Sequence, residues 1–374
     1  MRPDARPLCV HLLGDTVDAG AENQCGYLLR GLRDAGEYEL ELAYFRRGRG
    51  HSAFAQLGIP MLEVQPRRRF RFDAYGRARR LRRAYANRPP DLLHTWLPES
   101  NVVGLVAARA WPSAKVIVTQ RGSWMELAYP TMLRLQRMFL GRADQAISNS
   151  RGGADMLAEF GMPPSRISVI PNGIPIDRVR VDRVRDRVRR EMGWSDHDVV
   201  AWIGRGDDRV AAKQKDFGTL FAAIDSLRVI RPTARLVMLG VTADEIAERG
   251  FRVPDEAVAL GWRSDPADLL NAADALVISS RIEGNSNVAG EALLLGLPVA
   301  TTDCGDHCEI VKRSGGRVAA VADANALAEA LAELVRDPPD RARVARAAAH
   351  ALSVERMVAS HLDVYDRLLK ESRR

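Results

Sequence analysis

Residues Asp274 to Val311 read DALVISSRIEGNSNVAGEALLLGLPVATTDCGDHCEIV, and the order of their patterns decides the fold. Ala275–Ser280, ALVISS, is a short apolar run of the kind that forms a strand covered on both faces. Asn287 to Leu295 follows with helical spacing, which puts Val288, Ala292 and Leu295 on one face. Leu297–Thr302, LPVATT, is a second buried strand. Strand, helix and strand in about thirty residues make a βαβ unit, and its two strands must be parallel.

The same rhythm extends in both directions. Upstream lie LCVHLL (8–13), ELELAY (39–44), DLLHTW (91–96), KVIVTQ (115–120), QAISNS (145–150) and ISVIP (167–171). After Pro171-Asn172-Gly173-Ile174-Pro175 the composition turns to charged residues. The strand pattern then restarts with VVAWIG (199–204), RLVMLG (235–240), AVALG (257–261), the two strands above and RVAAV (317–321). Continuous rather than alternating apolar runs, separated by amphipathic stretches, predict an α/β protein of two doubly wound, Rossmann-like domains. The Pro-Asn-Gly turn divides them into residues 1–174 and 175–352, and residues 353–374, SVERMVASHLDVYDRLLKESRR, read as a closing helix expected to pack back on the N-terminal domain.

With 374 residues the chain is long enough for two domains that each bury a core. No apolar stretch approaches the ~18 residues of a membrane span, and the N-terminus reaches Gly14-Asp15 too early for a secretory leader. A cytoplasmic protein is expected, and four scattered cysteines fit reduced thiols. Cys304-Gly-Asp-His-Cys308 lacks a second ligand pair and reads as a loop, so no metal is expected. Asp196-His197-Asp198 reads as a turn.

Glu283 leaves the strand ALVISS and Glu291 lies in the opening turns of the next helix. Both can reach the carboxyl edge of the sheet, where open α/β sheets bind ligands. The helix start at Ser286, Asn287 and Val288 offers backbone N–H groups to a phosphate, and Gly284, Asn285 and Ser286 let a ligand approach the backbone.

At these residues the sequence resembles the GT-B glycosyltransferases of family 4, which retain anomeric configuration. The resemblance rests on the Glu283-x7-Glu291 spacing, on AGAEN (19–23), HTW (94–96), SNS (148–150), IPNGI (170–174), IGR (203–205), QKDFGTLFAAI (214–224) and LGWRSDPADLLNAAD (260–274). It implies two domains facing across a cleft, the N-terminal one binding an acceptor and the C-terminal one a nucleotide-sugar donor. Glu283 would then stand beside the transferred sugar and Glu291 would hold the ribose. Arg205 and Lys215 would neutralise the leaving diphosphate without a metal; Lys213, two residues upstream, is the alternative to Lys215. Gly20 would meet the diphosphate, and Trp262 and Arg263 would lie near the base. Arg121, His94 and Asn172 would contact sugar or acceptor, although many relatives carry His where Arg121 stands. No cofactor is implied, since the sugar nucleotide is a co-substrate. A front-face reaction is expected. Alternatives on the same architecture are a nucleotide-sugar epimerase or phosphorylase and a catalytically silent nucleotide-sugar binder.

The net charge of +7 concentrates in Arg67–Arg88, RRRFRFDAYGRARRLRRAYANR, and in Arg178–Arg190. Aromatic residues among the first set of arginines suggest an interfacial helix on an anionic membrane and a saccharide or lipid-linked acceptor; a solvated helix packed by its aromatic side fits the same pattern. Nothing in the sequence accompanies the charge as a nucleic-acid-binding motif.

Overall fold

The computed structural model describes residues 6–17, 19–65, 73–122, 130–204 and 213–371. Its strands are β1 (Leu8–Asp15), β2 (Glu39–Arg46), β3 (Met61–Glu63), β4 (Leu92–Trp96), β5 (Lys115–Gln120), β6 (Gln145–Ser148), β7 (Ile167–Val169), β8 (Asp198–Ile203), β9 (Ala234–Leu239), β10 (Ala257–Ala259), β11 (Ala275–Ile278), β12 (Val299–Thr302) and β13 (Arg317–Ala319). Every apolar run singled out in the sequence is one of them. The strand without a sequence signal is β3, three half-buried residues paired to β2 at the sheet edge, too short to show a period.

The chain forms two compact units, Met1–Gly173 with Val354–Arg374, and Ile174–Ser353. The first holds a seven-stranded sheet of order β3-β2-β1-β4-β5-β6-β7 and the second a six-stranded sheet of order β10-β9-β8-β11-β12-β13. All pairings are parallel. In both sheets the strand order reverses, between β1 and β4 and between β8 and β11. The connections leaving such a pair run to opposite sides and open a crevice at the strands' carboxyl ends.

Burial follows from this layering. The central strands β4 and β11 are buried along their whole length, and helices cover both faces of each sheet. Helix Val354–Glu371 lays Met357, Val358, His361, Val364, Tyr365 and Leu368, spaced three and four apart, into the first unit's core. Gly31, in helix Gly20–Ala35, permits the close approach, because a Cβ at that position would run into the Val358 side chain. Tyr365 Oη lies 2.6 Å from His94 Nδ1.

Among the described residues, several arginines of the two basic segments are spent within the fold. In helix Ala74–Ala84, capped by Asp73, Arg77 is buried against Glu99 and the Phe45 ring. Arg82 donates to the carbonyls of Val106 and Ala107, and Arg88 pairs with Glu39 at 2.6 Å. Leu81 and Tyr85 point into the core, with Tyr85 Oη donating to Glu41. The expected interfacial helix is corrected in this respect: its apolar side is covered by protein, leaving Tyr75, Arg79, Arg80 and Arg83 outward. Arg67–Phe72 lie outside the described residues. In the second segment, Arg183 binds Asp265 and Asp268, and Arg185 and Arg189 bind Asp274. These are internal clamps on helix Pro266–Ala272 and its end. No helix among the described residues is long and apolar enough to cross a membrane.

Candidate functional site

The second unit's crevice is built from three backbone segments. Strand β11 runs into Ser279 and Ser280, both buried, and then into the loop 281–285. Ser286 caps helix Asn287–Leu294 by accepting from Ala289 N at 3.4 Å. That helix buries Ala289, Ala292 and Leu293 most deeply; Val288 and Leu295, read from the sequence as its inner face, are half-buried. Strand β12 ends in Thr302, whose hydroxyl donates to Ser280 O at 2.5 Å, and the following turn Cys304–Asp306 supports the loop.

Glu283 sits where these segments meet. Its backbone N–H donates to Cys304 O at 2.6 Å, and Gly284 O accepts from Asp306 N at 3.1 Å. Gly305 is needed here, since a Cβ would lie 2.5 Å from Gly284 O and 2.8 Å from Glu283 O. The Glu283 carboxylate accepts from Lys215 Nζ at 2.6 Å and from Ser280 Oγ at 2.8 Å. Burial pushes its pKa up, but the charge and hydrogen bond of Lys215, with His307 and Ser280, more than offset this and hold it below the usual carboxylate range.

Lys215 is positioned in turn by the loop it serves. Ser279 Oγ donates to Lys215 O at 2.7 Å, Arg281 N donates to Gln214 O at 2.8 Å, and Gln214 Nε2 donates to Ile282 O at 3.2 Å. Asp216, at φ 48°, caps helix Phe217–Ile230 and pairs with Arg281 at 2.9 Å. Of the two lysines, Lys215 meets Glu283 and Lys213 is exposed. Arg205 lies outside the described residues.

Glu291, 13% exposed on its side chain, is met by Arg178 at 3.3 Å. Trp262 is 73% exposed, so it is no core residue; it follows Gly261, whose φ of 64° suits glycine. Arg263 is held by Asp265 at 2.8 and 2.9 Å. In the first unit, Gly20 opens helix Gly20–Ala35 at the carboxyl end of β1. Arg121 donates to Asn172 Oδ1 at 2.7 Å and lies over the Trp96 ring, and burial lowers its pKa to about 10. His94 does not join them at a surface. It is fully buried with Nδ1 and Nε2 on Tyr365 and Thr119, so the expected sugar or acceptor contact is corrected to a core hydrogen-bonding role.

The structure therefore brings Glu283, Lys215, Gly284, Asn285, Ser286, Asn287, Val288 and Glu291 into one crevice of the second unit, and pairs Arg121 with Asn172 in the first. Sequence reasoning missed Ser280, Gln214, Gly305 and Arg178. Ser279-Ser280 after a buried strand and Gly305 after the next were available as signals; Gln214 and Arg178 act across sequence distances that no local pattern reveals.

The two reversed parallel sheets define a GT-B glycosyltransferase fold. Anabaena HepE, solved in complex with UDP-glucose, superposes with a TM-score of 0.80 over 96% of this chain and 100% of its own, at 19% identity. Residues 19–178 match the model for Glycosyltransferase Family 4, and residues 197–337 that for Glycosyl transferases group 1. The chain belongs to glycosyltransferase family 4. The lipopolysaccharide core biosynthesis glycosyltransferase LpsE of Rhizobium meliloti is 26% identical over 88% of this chain and 89% of its own length. The D-inositol 3-phosphate glycosyltransferase of Mycobacterium avium is 31% identical over 63% of this chain and 58% of that protein.

Proposed function

We propose that the protein transfers a sugar from a nucleoside-diphosphate sugar to a hydroxyl of a saccharide or lipid-linked acceptor, without a metal and with retention at the anomeric carbon. The observation that carries this reading is the Lys215–Glu283 pair at 2.6 Å, set in the β8/β11 crevice one helix start away from Glu291. As the glycosidic bond breaks, the anomeric carbon gains positive charge and the diphosphate negative charge. A low-pKa carboxylate serves the first and a lysine the second, so the pair presents both signs where two segments of the second unit meet. Glu291 is the ribose ligand in this reading, because a carboxylate accepts from two vicinal hydroxyls.

Arg205, Gly20, Trp262 and Arg263 belong to the same proposal as diphosphate and base contacts, and Arg121 with Asn172 as sugar or acceptor contacts. A front-face course fits best: the leaving phosphate takes the acceptor proton, and no protein nucleophile is required. The outward Arg79, Arg80 and Arg83 offer an anionic membrane an electrostatic contact, which suits a lipid-linked acceptor. The relatives named above include a lipopolysaccharide core enzyme, which supports polysaccharide or glycolipid synthesis.

The test is slow hydrolysis of an α-linked sugar nucleotide without acceptor, followed by proton NMR in chelator. Free sugar appearing first as the α anomer is expected. The β anomer appearing first would overturn retention, and conversion of the donor to another sugar nucleotide would mark an epimerase.

A further inference from the structure

Outside the groups assigned above, the second unit holds an unusual pair of thiols at the support of the Glu283 loop. Cys304 and Cys308 flank the turn Gly305–His307, and both sulfurs lie against the end of β12, Cys304 Sγ 4.0 Å from Thr301 Oγ1. Cys308 Sγ also lies 3.4 Å from Thr302 O, and Cys304 Sγ lies 3.9 Å from His307 Nε2. The protein's other two thiols differ: Cys9 and Cys25 are fully buried in the first unit, whereas Cys304 and Cys308 keep 7% and 5% exposure.

We propose that Cys304 and Cys308 form a redox modification site, oxidised by a peroxide to an intramolecular disulfide that releases the Glu283 loop. The Cys308 thiolate attacks one peroxide oxygen, the O–O bond breaks, and water leaves after taking up a proton, giving a sulfenic acid. The Cys304 sulfur then attacks Cys308 Sγ, the S–O bond breaks, and the departing hydroxyl takes the Cys304 proton as a second water. Two thiols are oxidised and one peroxide is reduced; a dithiol reverses the change by exchange. Cys308 suits the attacking role, since the neighbouring Cys304 thiol outweighs burial and draws its pKa down to about 7.

The link reaches Glu283 through the backbone. Cys304 O is the acceptor for Glu283 N, and Asp306 N donates to Gly284 O. A disulfide between positions 304 and 308 requires its own Cβ–S–S–Cβ torsion and therefore moves the turn that carries both bonds. The consequence for donor chemistry rests on the function proposed above; the disulfide itself does not.

The experiment treats the native chain with hydrogen peroxide, maps its peptides by mass spectrometry, and compares amide hydrogen exchange of residues 281–290 before and after. Loss of two of the four thiols as a Cys304–Cys308 link, faster exchange at the Glu283 loop, and reversal by dithiothreitol are expected. Cys308→Ser and Cys304→Ser each abolish the link. No link in the native protein, or a link with unchanged exchange at 281–290, would overturn the inference. Sugar-nucleotide affinity measured alongside should fall on oxidation; a reduced protein that binds no sugar nucleotide counts against the donor-site reading instead, and the mapping and exchange still decide the disulfide.

Discussion

Glu283 is a buried carboxylate kept ionised by Lys215, and the two residues are tested best by separating charge from shape. Glu283→Gln keeps the volume and the Ser280 hydrogen bond but removes the charge. Turnover should fall by about 10²- to 10³-fold, the usual cost of one electrostatic contact to a transition state, with donor affinity little changed. Lys215→Met should lower turnover and also change its pH dependence. A folded-state pKa held below the usual carboxylate range keeps Glu283 charged further into acid. Without Lys215, burial is opposed only by His307 and Ser280, and the acid limb of the pH–rate profile moves upward. An acid limb in the same place for both proteins would mean that the ion pair does not govern Glu283. Glu283 was legible in the sequence because it leaves a strand end, and Lys215 because QKDFGTL resembles the family's motif, with Lys213 as the alternative. Gln214, which ties the two segments together, was not, since a hydrogen bond from a side chain to the distant Ile282 carbonyl leaves no period or spacing behind.

Strands were the most legible elements, because both faces of each are covered and the runs are continuously apolar. β3 escaped because three residues are too few to show a period; the basic helix Ala74–Ala84 was left open between a membrane face and a packed one, and Leu81 and Tyr85 face protein while Tyr75 is exposed. The turn Cys304–Asp306 shows how a short element can serve a site from outside it. Gly305→Ala should weaken donor binding and lower the second unit's melting temperature, because the added methyl presses on the Glu283 and Gly284 carbonyls and the backbone must shift. Helix Val354–Glu371 has the reverse character. Removing it would uncover Leu13, Leu28 and Leu29 of the first unit's core. Met357, Val358, Val364, Tyr365 and Leu368, at ~1.5–3 kcal/mol each, together match the margin of a typical domain, so the first unit should fail to give a cooperative melt while the second still does.

At the scale of the whole molecule, the two sheets repeat one topology, and the order reversal that makes each crevice could be inferred from the repeated βα rhythm. The residues that stabilise the first unit could not. His11, His94 and His361 stack around Tyr365 in its core, and burial holds all three well below their ordinary pKa, His11 at about 3 and His361 at about 4. Their depressed pKa means that the unfolded chain takes up protons near pH 6.5 while the folded chain does not. Stability is thus fully present above that pH and declines as the pH falls toward 4, by up to about 1.4 kcal/mol per histidine per unit. Thermal melts between pH 7 and 4.5 should show the first unit's transition falling steeply, with a shallower slope for His361→Leu; equal slopes would contradict this account. The central claim concerns the other unit, and calorimetric titration with UDP-, GDP-, ADP- and TDP-sugars in chelator tests it most directly, for wild type and Glu291→Ala. Chelator-resistant binding of one nucleotide class, weakened by the substitution, is predicted. No binding of any sugar nucleotide, or binding indifferent to Glu291, would contradict the assignment of the β8/β11 crevice as the donor site.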